Sequence, residues 1–158
     1  MNIYDVLIRD FPFLLKGLGV AIVLLAALLL IGFVLGMAIC LIQLYGPKSR
    51  LVQWPLKVYE RIFRGIPIII MLFIFYYGIS GVWDISAFGA AILAMGLRSA
   101  AYQSQIFRSA FQSVPAGQMM AARAMGMSKL SAIRHIMFPQ AARHAIGPWT
   151  NEFSSEIK

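Results

Sequence analysis

The apolar positions of this chain are gathered into long blocks, and the polar positions fall in the gaps between them. Gly17 to Tyr45 holds 29 residues without a charge, more than the roughly 20 that a helix needs to cross the hydrocarbon of a bilayer. Ile66 to Trp83 is a second uncharged run, with Pro67 placed where a missing N–H costs least. Phe73, Phe75, Tyr76, Tyr77 and Trp83 load its far half with aromatics, as at a membrane interface. Ile85 to Phe107 reads as a third span, less apolar because of Arg98, Tyr102, Gln103 and Gln105. A fourth run, Ala145 to Lys158, ends after 14 residues, so the sequence reads as cut short within a fourth span. Before the first run, Met1 to Lys16 has balanced charge and reads as a short amphipathic lead-in at the membrane surface. It lacks the basic start and small-residue cleavage site of a signal peptide. These blocks predict an all-α, multi-pass transmembrane bundle forming a single domain.

The charges orient that bundle. Lys48, Arg50, Lys57, Arg61 and Arg64 face only Glu60 in the loop expected from Gly46 to Arg64. Arg108, Arg123, Lys129, Arg134 and Arg143 fill the stretch from 108 to 144, and the turn from Ser80 to Ser86 holds no base. Basic residues accumulate on the cytoplasmic side, so the N-terminus is expected outside and both basic segments inside. Gly32 and Gly36 form a GxxxG that lets another helix approach closely, with packing inside the chain favoured over a contact between copies.

The second basic segment is the most informative. Pro115 suits a helix start, Gly126 the left-handed position that ends a helix, and Ser128 the next N-cap. Two short helices joined by a tight corner are therefore expected. In the second, Leu130, Ile133, Ile136 and Met137 share one face, Lys129, Arg134 and His135 lie away from it, and Pro139 ends the helix. Such an amphipathic pair between spans is a docking surface. Met119, Met120, Met125 and Met127 would let it repack against a partner that changes shape.

Composition narrows the classes. The chain is 60% hydrophobic, above the roughly 45–50% of soluble domains, and its mean hydropathy is +0.77. Its net charge of +8 sits in the gaps between apolar runs, which argues against a nucleic-acid surface. The lone cysteine, Cys40, leaves no internal disulfide framework or cysteine-based metal site. His135 and His144 lack nearby carboxylates, and no phosphate-binding glycine loop or HExxH is present. The chain is not expected to be an enzyme or to carry a cofactor.

The segment GQMMAARAMGMSKLSAIRHIMFPQA resembles the E-A-A loop of permease subunits of type I ABC importers. Ala121 and Ala122 stand in the two alanine positions, Gly126 is the glycine, and Phe138-Pro139 closes the pattern. ERIFRGIPIIIMLFIFYYG, RSAAYQSQIFRSAFQSVPAGQ and PWTNEF are similar to the polar-amino-acid uptake branch. Met120 replaces the motif glutamate, and Gln105 stands where this branch often has one. The resemblance implies the type I importer permease fold and an inner-membrane location. It also implies a separate ATPase that binds the ATP, an extracytoplasmic substrate-binding protein, and a second permease subunit, identical or related. The ATPase would dock on Gly117, Met120, Ala121, Ala122, Arg123, Ala124, Met125 and Gly126.

Within the membrane, Arg98, Asn151 and Glu152 are the costly residues. As a substrate pathway, Arg98 would attract a carboxylate and Glu152 an ammonium, which fits an amino-acid zwitterion. The plainer reading is an Arg98–Glu152 ion pair joining two helices, or an arginine reaching to the interface. A rival function is a self-sufficient secondary carrier or channel whose basic loop binds lipid headgroups. A passive scaffold would leave Arg98 and Glu152 without a purpose.

The topology is open to direct test. In a Cys40→Ser background, single cysteines at Ser86 and Ser131 should react with an impermeant thiol reagent from opposite sides of the membrane. Labelling of both from one side would invert or dissolve the arrangement.

Overall fold

The computed structural model describes residues 3–80 and 84–157. Trp83, expected at the outer interface, and residues 81–83 of the outer turn lie outside the described residues. All regular structure among the described residues is helical: α1 (Ile3–Tyr45), α2 (Arg50–Gly65), α3 (Ile68–Ser80), α4 (Ala87–Ser113), α5 (Ala116–Ala124), α6 (Lys129–Ala132), a π turn (Ile133–Met137) and α7 (Phe138–Ile157).

Three elements depart from the sequence reading. The N-terminal lead-in is not separate: α1 runs for 43 residues through Pro12, which removes one backbone donor without ending the helix. The expected loop after the first span is largely the helix α2, and α2 meets α3 at an angle of 109° around Pro67. Pro139 does not stop the second short helix either. At the π turn the N–H of Phe138 reaches the carbonyl of Ile133, five residues back. That wider register carries the helix past a residue that cannot donate. One helix from Lys129 to Ile157 results, with Pro148 also inside it.

By length and composition, residues Arg9–Tyr45 are sufficient to cross a membrane, and α2 with α3 together make a second, broken candidate. The outward faces are apolar: Phe13, Leu18, Ile22, Ile69 and Phe73 are all more than half exposed, as suits side chains that face hydrocarbon. α4 differs because its polar residues point inward. Ser99, Gln103 and Ser104 are fully buried.

α1 and α4 form the most extensive contact in the fold, and small residues make it possible. A Cβ on Gly36 would stand 3.0 Å from both the Ala100 carbonyl oxygen and the Ser104 amide nitrogen. One on Gly32 would overlap the Gln103 amide and the Ser99 hydroxyl. The GxxxG thus packs within the chain. Gln103 fills the resulting junction. Its Nε2 donates to the Leu29 carbonyl (3.3 Å) and Ser99 Oγ (3.1 Å), and its Oε1 accepts from Trp149 Nε1 (2.9 Å). Toward the basic end, Cys40, Phe107, Phe111, Val114, Met137 and Ala141 form the apolar core.

Gly36→Val should therefore destabilise the chain by about 1–3 kcal/mol, because backbone atoms rather than flexible side chains must move. Gly19→Val, where an added Cβ meets nothing within 4 Å, serves as the control. Thermal unfolding in detergent checks the difference. Equal responses would mean that α1 and α4 are not so closely apposed.

Candidate functional site

Two regions carry the chemistry, and one helix joins them. The first is the corner at α5. Gly126 has φ +84°, the sole positive φ among the described residues. Met127 N donates to the Ala122 carbonyl and Gly126 N to the Arg123 carbonyl, both at 3.1 Å. This is a Schellman ending, which demands a residue at ease in the left-handed region. Ser128 caps the next helix, its Oγ accepting from Ser131 N at 3.2 Å. Arg123 Nη1 closes the corner by donating to the Met127 carbonyl at 2.7 Å.

Of the residues expected to dock a partner, Gly117, Met120, Ala121, Arg123, Ala124, Met125 and Gly126 face outward. Met120 and Met125 are 67% and 74% exposed. Ala122 is buried and holds α5 down instead. Met119 and Met127 are half-buried. Leu130 leaves the face shared by Ile133, Ile136 and Met137 and is exposed.

The corner is fixed to the end of α1 by charge. Lys129 Nζ donates to the Tyr45 carbonyl at 2.6 Å, and Lys48 Nζ donates to the carbonyls of Gln43 and Leu44. Cations at a helix C-terminus satisfy carbonyls that lack helical partners and oppose the dipole. Arg108 bonds Gln43 and Gln105, the latter occupying the position where glutamate is common in the resembling branch.

The second region lies farther along the same helix. Arg98 Nη1 pairs with Glu156 Oε1 at 3.3 Å, not with Glu152. Glu152 lies one turn before Glu156 on α7 and within the electrostatic reach of Arg98 and Arg64. The Arg98 and Arg64 guanidinium groups stack on the Tyr102 ring, 4.7 and 5.2 Å from its centre, and the Tyr102 hydroxyl donates to the Arg64 carbonyl. Asn151 is exposed. Arg98 Nε is buried without a hydrogen-bond partner, so its guanidinium retains unused donor capacity.

Sequence reasoning missed Glu156, Arg64 and Tyr102, although Glu152 and Glu156 are spaced to share a helix face. It also missed Glu60. That carboxylate is buried, accepts from Ser104 Oγ at 2.8 Å, and joins α2 to α4. Tyr59 adds a 2.6 Å bond from its hydroxyl to the Leu97 carbonyl.

A helical membrane protein with an exposed corner of short helices and a charged cluster between α4 and α7 is the class this geometry defines. Comparison with known proteins places it. Residues 38–157 match the family described as "Binding-protein-dependent transport system inner membrane component", and the chain belongs to that family. It is similar to the probable amino-acid ABC transporter permease protein YckA of Bacillus subtilis (strain 168), 38% identical over 96% of this chain and 66% of the relative. The nopaline transport system permease protein NocM of Agrobacterium fabrum (strain C58 / ATCC 33970) is 37% identical over 98% of this chain and 68% of the relative. The chain thus spans about two thirds of the length of these relatives. Among solved structures, one described as an amino acid ABC transporter with histidines superposes with a TM-score of 0.82. It is 28% identical, and the match covers 97% of this chain and 72% of the other. The fold is that of the type I ABC importer permeases.

The pairing in the charged cluster can be measured. A double-mutant cycle of Arg98→Gln and Glu156→Gln, read by unfolding in detergent, should give a coupling of about 1–3 kcal/mol. The Arg98–Glu152 cycle should give less. The reverse order would restore Glu152 as the direct partner.

Proposed function

We propose that this chain is the membrane-spanning permease subunit of an ATP-driven amino-acid importer. The observation that carries the proposal is the continuous helix from Lys129 to Ile157, which begins at the exposed corner and ends at the charged cluster. A separate ATPase docks on the α5 corner and binds the ATP, a substrate-binding protein meets the outer face, and a second permease subunit completes the pathway. The chain sits in the inner membrane with its N-terminus outside and the corner in the cytoplasm.

The mechanics follow from the packing. α5 rests on α6 and the π turn, so a push on α5 reaches α7. Movement of α7 shifts Glu152 and Glu156 relative to Arg98 on α4. These groups offer a cation and carboxylates to the carboxylate and ammonium of an amino acid, while Asn151 is exposed on a different face of α7. Each partner binds one orientation better than the other, and that difference drives the change in access.

Gly126→Val tests the coupling. A β-branched residue is strained at φ +84°, so the variant should insert normally but lose ATPase in co-purification by about tenfold, an effect of ~1.4 kcal/mol. Undiminished ATPase retention would remove the corner as the docking site. Ion-driven uptake by the chain without any ATPase would favour a self-sufficient carrier.

A further inference from the structure

The α2 helix carries a feature that transport does not use. Arg50, Trp54, Lys57, Arg61 and Arg64 recur at spacings of four, three, four and three. At 3.6 residues per turn they lie within about 40° of a single line along the helix. All five are exposed. Arg50, Lys57 and Arg61 make no hydrogen bond or ion pair among the described residues, while Arg64 stacks on Tyr102. The helix's one acid, Glu60, is buried against Ser104 and neutralises none of them.

The other faces of α2 are divided in two. Val52, Leu56, Tyr59, Glu60 and Phe63 turn toward the protein and are buried or half-buried. Between that face and the basic line lies an apolar flank, where Leu51 is 88% and Ile62 47% exposed. A helix with a cationic stripe beside an exposed apolar flank is built to lie in a membrane interface. Its direction agrees. α2 meets the strongly apolar α3 at 109°, so with α3 along the bilayer normal, α2 lies close to the membrane plane. Trp54, in the middle of the basic line, suits the headgroup level.

The start of α2 adds a second argument for an anion. Ser49 occupies the N-cap but makes no side-chain hydrogen bond, and the first turn holds Arg50 and no acid. A cation there adds to the positive end of the helix dipole, and backbone N–H groups at a helix start favour a phosphate.

We propose that α2 is a binding site for anionic phospholipid headgroups, with Arg50, Lys57 and Arg61 holding the phosphates and Leu51 and Ile62 dipping into the acyl region. The site rests on the membrane placement proposed above, lies apart from the docking corner, and meets the charged cluster only at Arg64, which is not among its phosphate-holding residues. Since Glu60 and Tyr59 fasten α2 to α4, bound lipid would also steady the helix that carries Arg98.

Quenching of Trp54 tests this. The complex, with its partner subunits, is placed in nanodiscs containing phosphatidylglycerol and phosphatidylcholine, with one lipid at a time brominated near the glycerol and present at equal mole fraction. The Trp54 signal is the difference between the wild type and W54F. Brominated phosphatidylglycerol should quench it at least about twice as strongly as brominated phosphatidylcholine, and R50Q/K57Q/R61Q should abolish the preference. Equal quenching by both lipids would overturn the anion site while leaving α2 at the interface. Absence of quenching by either would overturn the membrane placement of α2 and mean that a protein partner covers the stripe. The wild-type comparison decides the matter even where the triple variant fails to fold.

Discussion

The Gln103 amide is the interaction on which the rest of the arrangement depends. A primary amide without any solvent exposure must find partners or lose several kcal/mol, and Gln103 finds them on α1, on α4 itself and on α7. It reaches the α1 backbone only because Gly32 and Gly36 let α4 approach that closely. Its bond to Trp149 then sets the rotation of α7. Glu152 and Glu156 stand three and seven residues beyond Trp149, on the same side of the helix. Once Trp149 is turned toward Gln103, the two carboxyl groups face α4, where Arg98 waits one turn and a half before Gln103. The charged cluster follows from a neutral hydrogen bond, because attraction between charges alone would fit several rotations of α7.

Features with a local cause were legible in the sequence. Pro115, Gly126 and Ser128 each favour one backbone conformation, and the corner between α5 and α6 forms as those preferences require. Long apolar blocks and small residues at fixed spacing likewise pointed to a helical bundle with close packing. Features set by three-dimensional partners were not legible. Glu60 looked like one acid among five bases until Ser104 appeared opposite it. Glu156 was passed over for Glu152 because their distance to Arg98 depends on the rotation of α7. Pro139 misled for a different reason: a proline ends an α-register, but a π turn just before it changes which carbonyl lacks a donor. Counting charges between apolar runs addressed sidedness and overlooked the helical period in α2.

The two basic segments of this chain differ in how many of their cations the subunit itself engages. In the second segment, Lys129 and Arg123 are spent on carbonyl groups and Arg108, near the end of α4, on glutamine side chains, while Arg134 and Arg143 are exposed without a hydrogen bond or ion pair among the described residues. At the α5 corner that segment shows Met120, Met125, Ala121 and Ala124 to the outside, and farther along it the same two arginines. In α2 the cations at 50, 57 and 61 remain unspent. A positive-inside count treats both alike, yet Lys129 and Arg123 engage carbonyl groups of the subunit itself, whereas no cation of the α2 stripe engages one through its side chain.

This division bears on the departure at Met120. In the resembling permeases the corresponding glutamate is tied to the ATPase interface. Here the position is 67% exposed, and nearby Arg123 is already engaged by the Met127 carbonyl. Met120 makes no hydrogen bond through its side chain, and the corner's own bonds, those of Arg123, Gly126, Met127 and Ser128, form without a glutamate there. If an ATPase docks at this corner as proposed, the loss falls on contact with that partner. Met120 and Met125 there substitute flexible, polarisable apolar surface for a charge. Such a surface adapts to a partner that closes and reopens, whereas a buried ionic contact would have to be desolvated and rehydrated in every cycle.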